Sequence, residues 1–182
     1  MCQAESLAIV PGTIPIASIV ADSAEATGLK WAAPASGSTF AGVNCYLDGA
    51  VSIANDTQVI LGWNAEFFDT NGFHDNSTNN SRLTVPSGKG GKYLITSNLV
   101  WAANATGTRV SQIRVNGNDL KALSANSVNS GSSEQSVFIS TVLDLSVGDY
   151  VQIWVIQNRG GSLDVGASVI WWSSFSMTYL GA

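Results

Sequence analysis

The chain has 182 residues, of which 45% are hydrophobic and only 12% charged, with a formal net charge of -5. That length holds one ordinary domain plus an appendage, and a domain of about 150 residues buries roughly 70% of its unfolded surface, so its core needs neither metal nor disulfide. Eight basic residues against thirteen acidic ones repel phosphate backbones and anionic lipid, which argues against nucleic acid or a membrane surface as partner.

Residues 1–34 contain no period-2 or period-3.6 run long enough to predict an element, and Pro11, Gly12 and Pro15 punctuate them. They read as an N-terminal arm, with the composition shifting near residue 35; fully extended, such an arm reaches on the order of 110 Å. The tract from Asp22 to Gly28 supports at most one helical turn before Gly28 ends it. Ser6 to Val20 is apolar only in patches and follows no basic residue, so neither a signal peptide nor a transmembrane helix is expected. Cys2 and Cys45 are the only cysteines, too few for a disulfide framework, and are expected to be free thiols of a protein made in a reducing cytoplasm.

From Phe40 onward the pattern is all-β, with short runs separated by Gly, Asn, Asp and Ser. Lys92 to Trp101 alternates, placing Tyr93, Ile95, Leu99 and Trp101 on one face and Thr96 and Asn98 on the other. Arg109 to Val115 leads into Asn116-Gly117, a dipeptide that favours a type I′ hairpin turn, and Asp119 to Leu123 returns. Gln135 to Leu145 sets Val137, Ile139, Leu143 and Leu145 on one side. Tyr150 to Ile156, apolar on both faces around Gln152, belongs in the middle of a sheet. Ala167 to Leu180 closes the domain, with Trp171, Phe175, Met177 and Tyr179 sharing a face. Two packed antiparallel sheets account for this pattern.

Three blocks resemble the complement C1q and tumour-necrosis-factor-like family. They are Ala65 to Asp75 continuing through Arg82-Leu-Thr-Val-Pro86 to Gly91-Lys-Tyr-Leu-Ile95, then Leu145-Ser-Val-Gly-Asp-Tyr-Val151, and the closing Phe175-Ser-Met-Thr-Tyr-Leu180. The resemblance covers about residues 38 to 182. It implies a two-sheet antiparallel jelly-roll sandwich over residues 35–182, carrying the extended arm of residues 1–34, and a homotrimer. Ala21 to Pro34 further resembles the linker that precedes such heads in tail-fibre and other structural proteins of tailed bacteriophages, which implies a virion protein. No collagen-like Gly-x-y stalk or fibre shaft accompanies it, which favours a compact protein fixed to a particle by its arm.

Six Trp, four Tyr and six Phe exceed what one sandwich of this size needs. Because successive strand residues point to opposite faces, one of Trp171 and Trp172 is expected in the core and the other needs a cover, for which a neighbouring subunit is the economical choice and the protein's own arm the alternative. Trp101, Trp154, Trp171, Trp172, Phe175 and Tyr179 are therefore assigned to the core or the trimer seam. In the arm, Leu7, Ile9, Val10, Ile14 and Ile16 are the residues expected to be buried against a major capsid or other virion protein.

Catalysis is not expected. His74 is the sole histidine, sits among turn residues, and has no Gly-x-Ser-x-Gly elbow to serve. Asp69, Asn71 and Asp75 cluster oxygen ligands around Gly72 in a way that could hold Ca²⁺, but a tight turn selects the same residues, and the turn is preferred. No other metal or cofactor is expected. Trp63, Phe73, His74 and Trp101 are the candidates for stacking on a host glycan, each with a preferred core or turn role. The sequons at Asn55, Asn76, Asn79 and Asn104 are incidental without a secretory route. The expectation is thus a non-enzymatic virion protein decorating or cementing a capsid. A receptor-binding tail appendage that recognises host carbohydrate is the alternative.

Overall fold

A computed structural model describes residues 18–21, 24, 29–32, 40–117, 119–127, 133–166 and 172–182. Contacts divide the chain into two units, Met1–Thr39 and Phe40–Ala182.

In the first unit, β1 (Ser18–Ala21) and β2 (Leu29–Ala32) pair antiparallel, with Ser18 opposite Ala32 and Ile19 opposite Trp31. Within the arm, the described residues thus form one short antiparallel pair. Four-residue strands are too short for alternation to show, which is why the sequence pattern missed them. Leu7, Ile9, Val10, Ile14 and Ile16 lie outside the described residues, as does the Asp22 to Gly28 tract apart from Ala24, which is in a turn.

The second unit is a sandwich of two antiparallel sheets. Its strands are β3 (Gly42–Tyr46), β4 (Val51–Ile53), β5 (Val59–Ile60), β6 (Ala65–Asp69), β7 (Leu83–Thr84), β8 (Gly91–Trp101), β9 (Thr108–Val115), β10 (Asp119–Ser127), β11 (Gln135–Leu145), β12 (Tyr150–Gln157), β13 (Leu163–Val165) and β14 (Ser174–Gly181). One sheet runs β10-β9-β12, with β5 and β7 sharing the far edge of β12. The other runs β11-β8-β14-β3-β6, with β13 taking over beside β8 at Trp101 and carrying β4. Non-consecutive neighbours such as β8, β14 and β3 require the chain to cross between sheets, as a jelly roll does.

The core is the filling between the sheets. β8 contributes Tyr93, Ile95, Leu99 and Trp101, all fully buried, and β14 adds Phe175 and Met177. From the facing sheet come Ile113, Val151, Ile153 and Val155. The expected strands β8, β9, β11 and β12 form as read, and β12 is interior to its sheet, with β9 on one side and β5 and β7 on the other.

Two turns differ instructively from expectation or explain it. Asn116 and Gly117 take the positive φ values of 51° and 89° that the dipeptide favours, but Val115 pairs with Asp119, one residue wider than a two-residue type I′ hairpin. The Ser146 to Asp149 turn is locked twice: Gly148 (φ 88°) donates its N–H to the Val85 carbonyl at 3.0 Å, and the Asp149 carboxylate accepts the Ser146 N–H at 2.8 Å. The closing strand begins at Ser174, later than the predicted Ala167, and Trp171 lies outside the described residues.

Candidate functional site

The face of the larger sheet that points away from the core carries the most unusual surface. Register sets Phe138, Asn98, Ser174 and Tyr46 in one row, Ser140, Thr96, Ser176 and Asn44 in the next, and Val142, Leu94, Thr178 and Gly42 in a third. The centre of this face is thus mostly small and polar, with Thr96 and Ser176 hydroxyls 2.6 Å apart, although Leu94 is exposed in its third row. Both flanks are apolar. On the β11 edge Phe138 and Val142 are exposed; on the opposite edge so are Phe40, Phe67, Phe68 and Trp172.

The second edge is an aromatic cluster. Tyr46 stacks on Phe67 at 4.4 Å between ring centroids, Trp172 meets Tyr46 edge-on at 4.7 Å, and Phe40 meets Phe68 at 5.7 Å. A β-bulge creates it. Asn44 faces Phe68 and Cys45 faces Glu66, so Phe67 is the extra residue, and the irregularity leaves two consecutive phenylalanines exposed where strict alternation would send one inward. Sequence reasoning missed this cluster, although a signal was there: an adjacent Phe67-Phe68 pair in a strand poses the same problem as Trp171-Trp172.

Beneath the cluster, the inward sides of β3 and β6 hold a polar group. Cys45 is fully buried and free. His74 Nδ1 lies 2.7 Å from Glu66 Oε1, and His74 Nε2 lies 3.0 Å from the Asn80 carbonyl oxygen. Burial, reinforced by the Glu66 and Asp69 carboxylates, pushes the Cys45 thiol well above its ordinary range. A buried, protonated thiol is no nucleophile.

The loop that carries His74 is held by its own carboxylates. Asp69 accepts the backbone N–H groups of Asn71 (3.1 Å), Gly72 (2.9 Å) and His74 (2.9 Å). Asp75 accepts the N–H of Thr78 at 2.9 Å, and both the hydroxyl (2.7 Å) and the N–H (2.8 Å) of Ser77. The Thr78 amide and then the two Ser77 donors lower the Asp75 carboxyl to about 2. The Ca²⁺ candidates are therefore arranged as turn residues: the Asp69 and Asp75 carboxylates serve loop amides, and the Asn71 side-chain oxygen accepts the Thr70 hydroxyl.

The remaining predicted residues divide cleanly. Trp63, Phe73, Trp101 and Phe175 are core, with the Trp63 and Phe175 rings 5.4 Å apart. Tyr179 is half-buried against Tyr93 at 5.2 Å, and Trp154 lies under the Arg114 guanidinium at 4.5 Å. Of the described aromatics assigned to core or seam, Trp172 is the one placed on the exposed face. None of the glycan candidates presents an exposed ring, since the His74 side chain is also enclosed.

No protein-family model matches the chain, and no curated protein matches its sequence. Solved structures do. Murine APRIL at pH 5.0 superposes with a TM-score of 0.59 at 12% identity, covering 78% of this chain and 100% of that one. The globular domain of zebrafish complement 1qA gives 0.56 at 14% identity, over 78% of this chain and 98% of the other. The Eiger TNF of S. frugiperda gives 0.53 at 14% identity, over 78% and 93%. The fold is the C1q/TNF jelly roll. At such identities the likeness establishes architecture and nothing finer. The block Leu145 to Val151, on which the resemblance partly rested, is the doubly locked turn into β12.

Proposed function

We propose that this protein is a non-enzymatic structural component of a bacteriophage particle: a homotrimeric jelly roll that decorates or cements the capsid and is attached through residues 1–34. The observation that carries the assembly part is the exposed sheet face, apolar on two opposite edges and, apart from Leu94, polar between them. Unlike edges suit a heterologous contact, in which the β11 edge of one copy meets the aromatic edge of the next, and a closed ring of three satisfies every copy. The virion context is supported by the resemblance of Ala21 to Pro34 to phage linkers. Three arms per trimer would multiply individually weak contacts into stable attachment.

Deleting residues 1–33 tests this directly. The truncated protein should remain a folded trimer but no longer co-sediment with particles; retained binding overturns the anchoring role. Particle imaging separates the alternative, since decoration places many copies over the shell and a receptor-binding appendage places a few on the tail.

A further inference from the structure

We propose that Cys45, Glu66 and His74 form a binding site for one divalent cation of borderline softness, Zn²⁺ by its chemistry, clamping β3, β6 and the following loop beneath the aromatic cluster. One ligand atom from each residue, a thiol sulfur, a carboxylate oxygen and an imidazole nitrogen, lies within 4.8 Å of the other two. Donors on one tetrahedral Zn²⁺ with bonds of about 2.0–2.3 Å sit about 3.5 Å apart, so changes in donor separation of up to about 1.3 Å, with the His74–Glu66 pair opening by about 0.8 Å, complete the site. The register supplies two of the donors, because Cys45 and Glu66 face each other across the β3–β6 ladder. His74 arrives from the loop that Asp69 holds in place.

The histidine is already set as a ligand. The Asn80 carbonyl is an obligate acceptor, so Nε2 carries the hydrogen donated to it, and the same carbonyl is pinned by the Trp63 N–H at 2.9 Å. The 2.7 Å contact between Nδ1 and Glu66 Oε1 therefore holds a second hydrogen, on the ring or on the carboxyl; once it leaves, the Nδ1 lone pair points at the cluster, the arrangement in which metal-binding histidines are held by a backbone carbonyl behind them. Binding breaks the Cys45 S–H bond and displaces the hydrogen shared by His74 Nδ1 and Glu66 Oε1; S–Zn, N–Zn and O–Zn bonds form and both protons pass to solvent. The ion enters past Glu66, whose side chain is 23% exposed while that of His74 is fully enclosed. Water fills the fourth position. A thiolate and an imidazole select Zn²⁺ over Ca²⁺ or Mg²⁺, which sets this group apart from the all-oxygen turn at Asp69 and Asp75. The competing account is a plain hydrogen bond between His74 and Glu66 that closes the loop without any ion.

The experiment is a Co²⁺ titration of metal-free, full-length protein, followed by Zn²⁺ displacement and thermal melts with and without Zn²⁺. Expected are a near-ultraviolet sulfur-to-cobalt charge-transfer band that saturates at one ion per chain, its loss on adding Zn²⁺, and a higher melting temperature with Zn²⁺. The band should persist in Cys2→Ser and vanish in Cys45→Ser. His74→Gln and Glu66→Gln should each weaken binding at least about 10-fold. Should Cys45→Ser fail to fold, Glu66→Gln, altered at a partly exposed position, still decides through its affinity. A band that is absent from the wild type or that follows Cys2, or equal Zn²⁺ affinity in all variants, overturns the site and leaves the hydrogen bond as its whole role.

Discussion

Replacing Phe67 and Phe68 together with serine should dissolve the assembly while leaving the subunit folded. Phe67 is 52% exposed and Phe68 41%; for side chains of roughly 200 Å² this leaves about 100 and 80 Å² open to a neighbour. At about 25 cal/mol per Å², covering both contributes about 4.5 kcal/mol per seam, or roughly 10³-fold in association. This is a ceiling, because association also costs side-chain ordering and polar desolvation. Within the subunit Phe67 loses two ring contacts and Phe68 one, each worth about 1 kcal/mol, so the melting temperature of the monomer should fall by about 10 °C while the fold persists. Sedimentation equilibrium over a concentration series reads the first effect and circular dichroism melts the second. As a control, Leu120→Ser with Leu123→Ser alters two residues of β10 that are equally exposed but belong to the other sheet, and should leave the trimer intact. A monomeric wild type at high concentration, or an unchanged midpoint in the phenylalanine variant, would refute the reasoning.

Two further outcomes probe the head itself. Gly107 has φ +79° and a Cβ there would lie 2.6 Å from the Asn158 carbonyl oxygen, whereas Gly160 has φ +92° with nothing within 4 Å; Gly107→Ala should therefore cost about 3 kcal/mol or more against about 1–2 for Gly160→Ala, measured by urea denaturation. Asp75 has a folded-state value of about 2 against 3.8 unperturbed, so its stabilisation of the loop is complete above the unperturbed value and is lost as pH falls through the lower one. The Thr78 amide shift should accordingly titrate near the lower value by NMR and lie flat in Asp75→Asn; a midpoint at the unperturbed value would show that the capping geometry is not populated in solution.

Much of the fold was legible because burial on one face imposes period 2, and period 2 is local. Tyr93, Ile95, Leu99 and Trp101 declared β8, and Val137, Ile139, Leu143 and Leu145 declared β11, as sequence alone. The turn chemistry of Asn116-Gly117 and of Ser146 to Asp149 was equally local, since positive φ and side-chain capping depend on neighbours a few residues away. Short strands such as β1, β2, β5 and β7 left no mark, because two to four residues cannot establish a period.

What only the tertiary structure decided is which residues from distant segments share a place. Trp63, Phe73 and Trp101 have a preferred core or turn role in the sequence, but it is the packing of the opposing sheet that encloses them. The bulge at Phe67 depends on pairing between β3 and β6, segments about twenty residues apart, and it alone determines that Phe67 and Phe68 both face outward. The meeting of Cys45, Glu66 and His74 likewise needs that ladder and the folded-back loop. Low charge and abundant small polar residues follow from composition. That they form a polar strip bounded by two apolar edges follows from strand order, because pairing between strands is a long-range choice that no local pattern contains.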